Sequence, residues 1–292
     1  MKKIVILGCE NTHANGFLDL ITKNEEFKDI EVVGVYSEDT EAAKKLNEKY
    51  AVPVMASVDE AVGKVDGIIV TARHGNKHYA FAKPYIASGV PMFIDKPITI
   101  DEAEAVAFMQ ELKDNNVLVT GGSMLRFNYF VCQVGEATRE GVAGKTIGGI
   151  VRAPLYPTNP NGGFYFYAQH LVEMVMTGFG RFPQAVRCSI DESLNRVVLF
   201  HYEDFTVTGY YTNGGNEYYA ARFSRMGTQG GYVPTNTSEP QLAEFREFVQ
   251  LMHEGGKMVL SYEELIAPVF VMNAIERAAV SGGVEPVCYG VI

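Results

Sequence analysis

The chain has 292 residues, 47% of them apolar and 21% charged, with a formal net charge of −10. That length and apolar content suffice for one large core or two ordinary ones, and the acidic balance speaks against nucleic acid, whose phosphates need clustered Lys and Arg. No apolar run approaches the roughly 20 residues of a membrane helix, and Cys9, Cys132, Cys188 and Cys288 form no C-x-x-C pair that would signal zinc or a disulfide framework.

The apolar run after Met1-Lys2-Lys3 is too short for a secretion signal, and Gly8-Cys9-Glu10-Asn11 follows it without a small-residue cleavage site. It is read as the first strand, residues 3–7, of a cytoplasmic protein. Residues 14–23 have helical period, with Phe17, Leu18 and Ile21 on one face. Strands at 31–36, 65–70, 91–94 and 117–120 then alternate with helices at 40–50, 77–88 and 100–115, with a helical turn at Asp59-Glu60. Gly89 closes the 77–88 helix, and Thr99 with Glu102 is expected to form a capping box on the next. Strict alternation of apolar strands and helices predicts an α/β unit with a doubly wound parallel sheet, covered on both faces.

After Gly121-Gly122 the texture changes. A helix at 129–140 ends at Gly141, and strands rich in Val, Ile, Tyr and Thr follow at 146–153, 185–190, 196–202, 206–211 and 218–225. A helix is expected at 169–178, and two amphipathic helices at 239–254 and 262–279. The predicted division is residues 1–121 as a dinucleotide-type domain and 122–292 as an α+β domain with a mainly antiparallel sheet. Tyr210, Tyr211, Tyr218 and Tyr219 are candidates for a homo-oligomer interface through that sheet. The alternative is that they pack on the domain's own helices.

Ligands of open parallel sheets sit at the carboxyl ends of the strands, and four turns there carry polar residues. After strand one comes Gly8-Cys9-Glu10-Asn11-Thr12-His13, where a dinucleotide fold has G-x-G-x-x-G for close backbone approach to a pyrophosphate. Only Gly8 fits, and a carboxylate at Glu10 is compatible with a pyrophosphate only if it turns away or is neutralised. After strand two, Ser37 stands where an acid would bind the adenosine ribose. Glu38 and Asp39 beside it would repel a 2′-phosphate, which leans the choice toward NAD over NADP. Alternatively these residues cap the next helix. The next turn, Thr71-Ala72-Arg73-His74 through His78, is read as lining a ligand cleft. A metal site from His13, His74 and His78 is the least favoured reading, because no acidic or further ligand lies nearby in sequence. The last is Asp95-Lys96-Pro97, a charged pair at the end of a buried strand, with a proline that restricts the turn. A lysine there can polarise a substrate oxygen and tune a proton transfer. In the second half, Gly162-Gly163-Phe164-Tyr165-Phe166-Tyr167-Ala168-Gln169-His170 places a histidine at the start of the 169–178 helix, a candidate general acid/base.

With these segments placed, the chain resembles the glucose–fructose oxidoreductase and inositol dehydrogenase (Gfo/Idh/MocA) family over nearly its whole length. Val65-Asp66-Gly67-Ile68-Ile69-Val70-Thr71 with His78 resembles that family's "VDavviaT…H" segment, and Gly89 through Pro97 its "GkhVlvEKP" motif, with Asp for Glu. Thr120 through Phe127 resembles its "vgfnyRf" junction, Gly162 through His170 its "GGaLLDlGsH" segment, and residues 239–275 its late helices. The resemblance implies an N-terminal Rossmann domain, NAD or NADP as cofactor, and hydride transfer to or from a small polyol, sugar or related hydroxy compound. It makes Lys96 and His170 the catalytic residues, sets Asp95 near the nicotinamide ribose, and has Arg126 line the cleft. Gly8, Glu10, Asn11, Thr12, His13, Ser37, Thr71, Ala72, Arg73, His74 and His78 complete the cofactor-binding candidates.

Three features depart from the family pattern: Glu10 and His13 in the glycine motif, Ser37 at the ribose position, and Phe166 where the family has a catalytic Asp. Glu173 is then the acid expected to orient the His170 ring, and Tyr165 and Tyr167 are candidate hydroxyl donors. Phe166 and Glu10 also motivate the alternative of a non-catalytic, ligand-binding relative.

Overall fold

The apolar runs of the first 122 residues become five parallel strands, the first four each followed by a helix of the same unit. The computed structural model describes residues 1–234 and 238–292. In chain order the elements are β1 (Lys2–Leu7), α1 (Thr12–Lys23), β2 (Ile30–Tyr36), α2 (Thr40–Tyr50), β3 (Gly67–Val70), α3 (His78–Ile86), β4 (Met92–Asp95), α4 (Glu102–Asp114) and β5 (Val119–Gly122). Their order in the sheet is β2-β1-β3-β4-β5, all parallel. The order reverses between β1 and β3, so the crevice of a doubly wound sheet opens beside the end of β1. A lone parallel bridge, Val35 to Val54, continues the sheet beyond β2.

The second set of elements is α5 (Tyr129–Glu140), β6 (Thr146–Leu155), α6 (Tyr165–Phe179), β7 (Ala185–Ile190), β8 (Arg196–His201), β9 (Thr206–Asn213), β10 (Tyr218–Ser224) and β11 (Gly227–Val233), then α7 (Ser238–Leu251), α8 (Tyr262–Ser281) and β12 (Val284–Pro286). Seven strands form one sheet in the order β11-β10-β6-β9-β8-β7-β12. Only β6 and β9 pair in parallel; the other neighbours are antiparallel.

The chain separates into two units, one of residues 1–122 with 241–265 and 292, the other of 123–240 with 266–291. The division expected from sequence gave all of 122–292 to the second domain. Residues 241–265 instead pack with the first unit, because Phe245, Phe248 and Met252 complete its core. Phe245 stacks edge-on against Phe27 at 4.7 Å and lies 5.6 Å from Phe17, which meets Phe93 of β4 at 5.0 Å.

Several boundaries differ from expectation for local reasons. Asp101, not Thr99, caps α4: its carboxylate accepts the Glu104 N–H at 2.8 Å, while the Thr99 hydroxyl donates to the Glu104 side chain. Helix α6 starts at Tyr165, four residues before the expected start, because Gly162 and Gly163 turn the chain at positive φ and the aromatic run after them is already helical. Tyr211 is fully buried and donates its hydroxyl to the Ala168 carbonyl at 2.7 Å, so it packs inside its own unit and is no surface candidate.

Candidate active site

Three chain segments meet at the carboxyl end of β1. Gly8 takes φ +100°, and an added Cβ would lie 2.2 Å from the Ala72 backbone nitrogen. Its N–H donates to the Tyr36 carbonyl at 2.7 Å, and its carbonyl accepts the Thr71 hydroxyl at 2.6 Å. The ends of β1, β2 and β3 are thereby held together with no room for a side chain. Gly8→Ala is expected to cost about 2–4 kcal/mol through backbone strain and clash, read as a lower thermal midpoint with loss of NADH binding.

The two departures from the glycine motif, Glu10 and His13, find partners. The Glu10 carboxylate does turn away from the helix: it accepts the Cys9 N–H at 2.9 Å, the Ser37 hydroxyl at 2.6 Å and the Arg73 N–H at 3.0 Å. Asn11 caps α1 by accepting the His13 N–H. Among the described residues this leaves the Asn11 and Thr12 N–H groups without a protein acceptor, as expected for a first helical turn. Free N–H groups at a helix start bind phosphate. With Gly8 against the Ala72 backbone, this donor set fits the pyrophosphate of a dinucleotide.

His13 stands where the motif's last glycine would let the helix approach the sheet. Here the contact is polar. His13 Nδ1 lies 2.9 Å from one Asp95 oxygen, and Asn11 Nδ2 donates to the other at 2.8 Å. Asp95 is fully buried at the end of β4. Burial pushes its pKa up, but the His13 imidazole and then Lys96 outweigh burial and hold it down at about 2. The Asp95 carboxylate therefore accepts the Nδ1 proton of His13.

The folded-state value of Asp95 lies below its ordinary 3.8, so its contribution to stability is full above that value and is lost as pH falls toward 2. Asp95→Asn breaks a buried pair and is expected to cost about 3–5 kcal/mol. Denaturant melts at neutral pH and near pH 3 check this; the gap from the unaltered protein shrinks at the lower pH.

Lys96 follows at once and is only 5% exposed. Burial lowers its pKa most; Asp95 opposes the shift, Arg73 adds to it and Glu244 of α7 opposes it. A lysine with a lowered pKa in reach of a carboxylate is suited to proton exchange as well as to polarising an oxygen.

Not every candidate in the β3 turn faces this crevice. Thr71, Ala72 and His78 are buried. His78 Nε2 lies 2.7 Å from the Ala72 carbonyl and Nδ1 3.3 Å from that of Ile98, and burial lowers its pKa. His78 therefore braces the loop from within and does not bind a ligand directly. His74 accepts the Asn76 N–H and caps a short turn, while Arg73 is exposed. No group of three or more His, Cys, Asp or Glu that could hold a metal occurs among the described residues.

In the second unit, His170 is 4% exposed, one helical turn after Phe166 on α6 and not at the helix start. Its Nδ1 and the Ser123 Oγ are 2.7 Å apart, and its ring stands edge-on to Tyr167 at 5.0 Å. Ser123 therefore orients the ring. Glu173 is engaged elsewhere, accepting from Arg181 at 2.6 Å and from Gln169 at 3.3 Å. Tyr165 donates its hydroxyl to Asn273 at 2.8 Å. Arg126, 8% exposed, belongs to this unit, with its guanidinium 4.0 Å above the Phe127 ring. Sequence reasoning missed the role of Ser123, although it stands inside the Thr120 to Phe127 junction segment, and missed Glu244, which no quoted motif contains.

Residues 2–123 match an oxidoreductase family described by its NAD-binding Rossmann fold, GFO_IDH_MocA. No curated protein matches the chain. Solved structures share its fold. The myo-inositol dehydrogenase of Corynebacterium glutamicum aligns at TM-score 0.82 and 16% identity, covering 99% of this chain and 100% of its own. GenD2 of gentamicin A biosynthesis, in complex with NAD, aligns at 0.85 and 16%, covering 98% and 96%. The scyllo-inositol dehydrogenase of Lactobacillus casei, with NAD(H) and scyllo-inositol bound, aligns at 0.84 and 14%, covering 98% and 99%. No helix among the described residues is long and apolar enough to cross a membrane.

Proposed function

We propose that this chain is an oxidoreductase of the Gfo/Idh/MocA family throughout and oxidises a secondary alcohol of a small polyol, inositol or sugar, with Lys96 and His170 as its catalytic residues. The observation that carries the reading is the buried Asp95-Lys96 pair at the end of β4, tied through both Asp95 oxygens to the phosphate-binding start of α1. The NAD-bearing GenD2 and the inositol-bearing L. casei enzyme share the fold and give the substrate class its precedent.

Bound NAD would supply the hydride acceptor. The chain's own residues do the rest. The Asn11 and Thr12 N–H groups hold the pyrophosphate. Asp95, fixed by His13 and Asn11, favours the charged form of Lys96 against the effect of burial. Lys96 polarises the substrate oxygen as charge develops on it. His170, oriented by Ser123, takes the hydroxyl proton, so that loss of hydride and proton leaves a carbonyl. The partly exposed Tyr210 and Tyr219, in one row of the second unit's sheet through Arg152, suit that face to pairing with a second copy of the chain, while Tyr218 stands edge-on to His170.

The test is absorbance at 340 nm with NAD and a panel of inositols, sugar alcohols and aldoses. Turnover on at least one, dependent on His170, is expected; none on any would contradict the reading. Phe166, in place of an acid, favours a second reading, a ligand-binding relative without turnover. The same measurement separates the two.

A further inference from the structure

We propose that Glu10 is the residue that reads the adenosine ribose and selects NAD over NADP, in place of the acid that dinucleotide folds carry at the end of β2. The proposal rests on NAD being the cofactor, as above, and adds which residue recognises it.

In a dinucleotide fold the acidic side chain after β2 takes a ribose hydroxyl and repels a 2′-phosphate. Here that position is Ser37, and its hydroxyl is already committed. It donates to Glu10 at 2.6 Å and accepts the Asp39 N–H at 3.2 Å. The two acids that follow are committed too. Asp39 caps α2 by accepting the Ala42 N–H at 3.0 Å, and Glu38 pairs with Lys77 at 3.0 Å.

Glu10 is placed differently. It leaves the β1 turn and brings its carboxylate to within hydrogen-bond distance of Ser37, so a negative charge lies at the end of β2 although the sequence puts none there. Three donors fix it: the Cys9 N–H and Ser37 hydroxyl on Oε2, and the Arg73 N–H on Oε1. A carboxylate has about four acceptor sites. Oε2 has filled its pair; Oε1 has one left. Glu10 is only partly buried, so that site is open to a ligand. It matches one ribose hydroxyl as donor. A phosphate in its place would bring a second anion against a carboxylate that its three donors keep from swinging away.

The alternative is that Glu10 only straps three strand ends together. Calorimetric titration of the purified protein with NADH and with NADPH distinguishes the two. The unaltered protein is expected to bind NADH at least about tenfold more tightly than NADPH. Glu10→Gln should weaken NADH about tenfold while leaving NADPH unchanged or tighter, which closes the gap. Adding Ser37→Asp to that variant should restore the preference, because an acid at the end of β2 takes the same ribose hydroxyl; the unequal effect of Glu10→Gln on the two cofactors is what a strap would not give. Ser37→Ala, which removes one donor but leaves the charge, should keep the preference; it answers the question if the Glu10 variant does not fold.

A preference for NADPH in the unaltered protein would overturn the proposal, with Arg73 and Lys77 then the phosphate-binding groups. So would equal weakening of both cofactors in Glu10→Gln, or loss of preference in Ser37→Ala. If the folded, unaltered protein binds neither nucleotide, the cofactor reading falls together with this one.

Discussion

Lys96→Met is expected to lower turnover by about 10²–10⁴-fold, the usual range for a group that assists proton transfer, with NADH binding changed far less. Methionine keeps the unbranched stem that fills the buried site and removes only the cation. Asp95 keeps His13 and Asn11 as partners, so the start of α1 stays in place. What is lost is the charge that meets the substrate oxygen as it gains negative character, an effect larger in a water-poor site than at a surface. Lys96→Arg should not restore full activity, because a planar guanidinium does not occupy the place of a compact ammonium. Steady-state kinetics with separate kcat and KM for NAD checks this. A kcat within about threefold of the unaltered value, well short of the proton-transfer range, would remove Lys96 from the chemistry.

His170→Ala carries the second large effect, again about 10²–10⁴-fold in kcat. Phe166, one turn earlier on α6, carries no titratable group, and Glu173 is occupied by Arg181 and Gln169. On the proposed reaction the proton of the substrate hydroxyl therefore falls to His170. NADH binding should be unaffected, since its donors lie on the first unit. Added imidazole should recover part of the rate if the ring acts as a base, and none if it is only packed against Tyr167. Ser123→Ala, which frees the ring to rotate, should lower kcat by a smaller factor without abolishing turnover.

Much of this was legible from residue order. Apolar runs ending in Gly8, Thr71 and Asp95 pointed to the parallel sheet and the edge where ligands bind, because strand burial and the glycine and charge that follow it are local signals. What the signals omit is where a side chain turns. Glu10 read as an obstacle to a pyrophosphate; its carboxylate bends back to Ser37 and Arg73, and nothing in its neighbours' identities announces that. His78 looked like a ligand-facing residue and is a fully buried brace on two backbone carbonyls.

Long-range pairing was likewise hidden. The apolar face of α7 carries Phe245 and Phe248, a pattern that would suit any core, and only the fold shows that it completes the first unit's core. The start of α6 lacks a capping side chain, Phe164 standing at the cap, so the usual boundary signal was missing. Strand β11 contains Gly227, Gly230 and Gly231, residues that weaken strand patterns, and pairs through its backbone with β10 regardless.

The central claim, that the start of α1 and the Asp95-Lys96 turn together form the cofactor site, is tested most directly by a crystal structure of the protein grown with saturating NADH. The expected result is the pyrophosphate within hydrogen-bond distance of the Asn11 and Thr12 N–H groups and the nicotinamide beside Lys96. A pyrophosphate bound away from α1, or no nucleotide density at saturation, would contradict it.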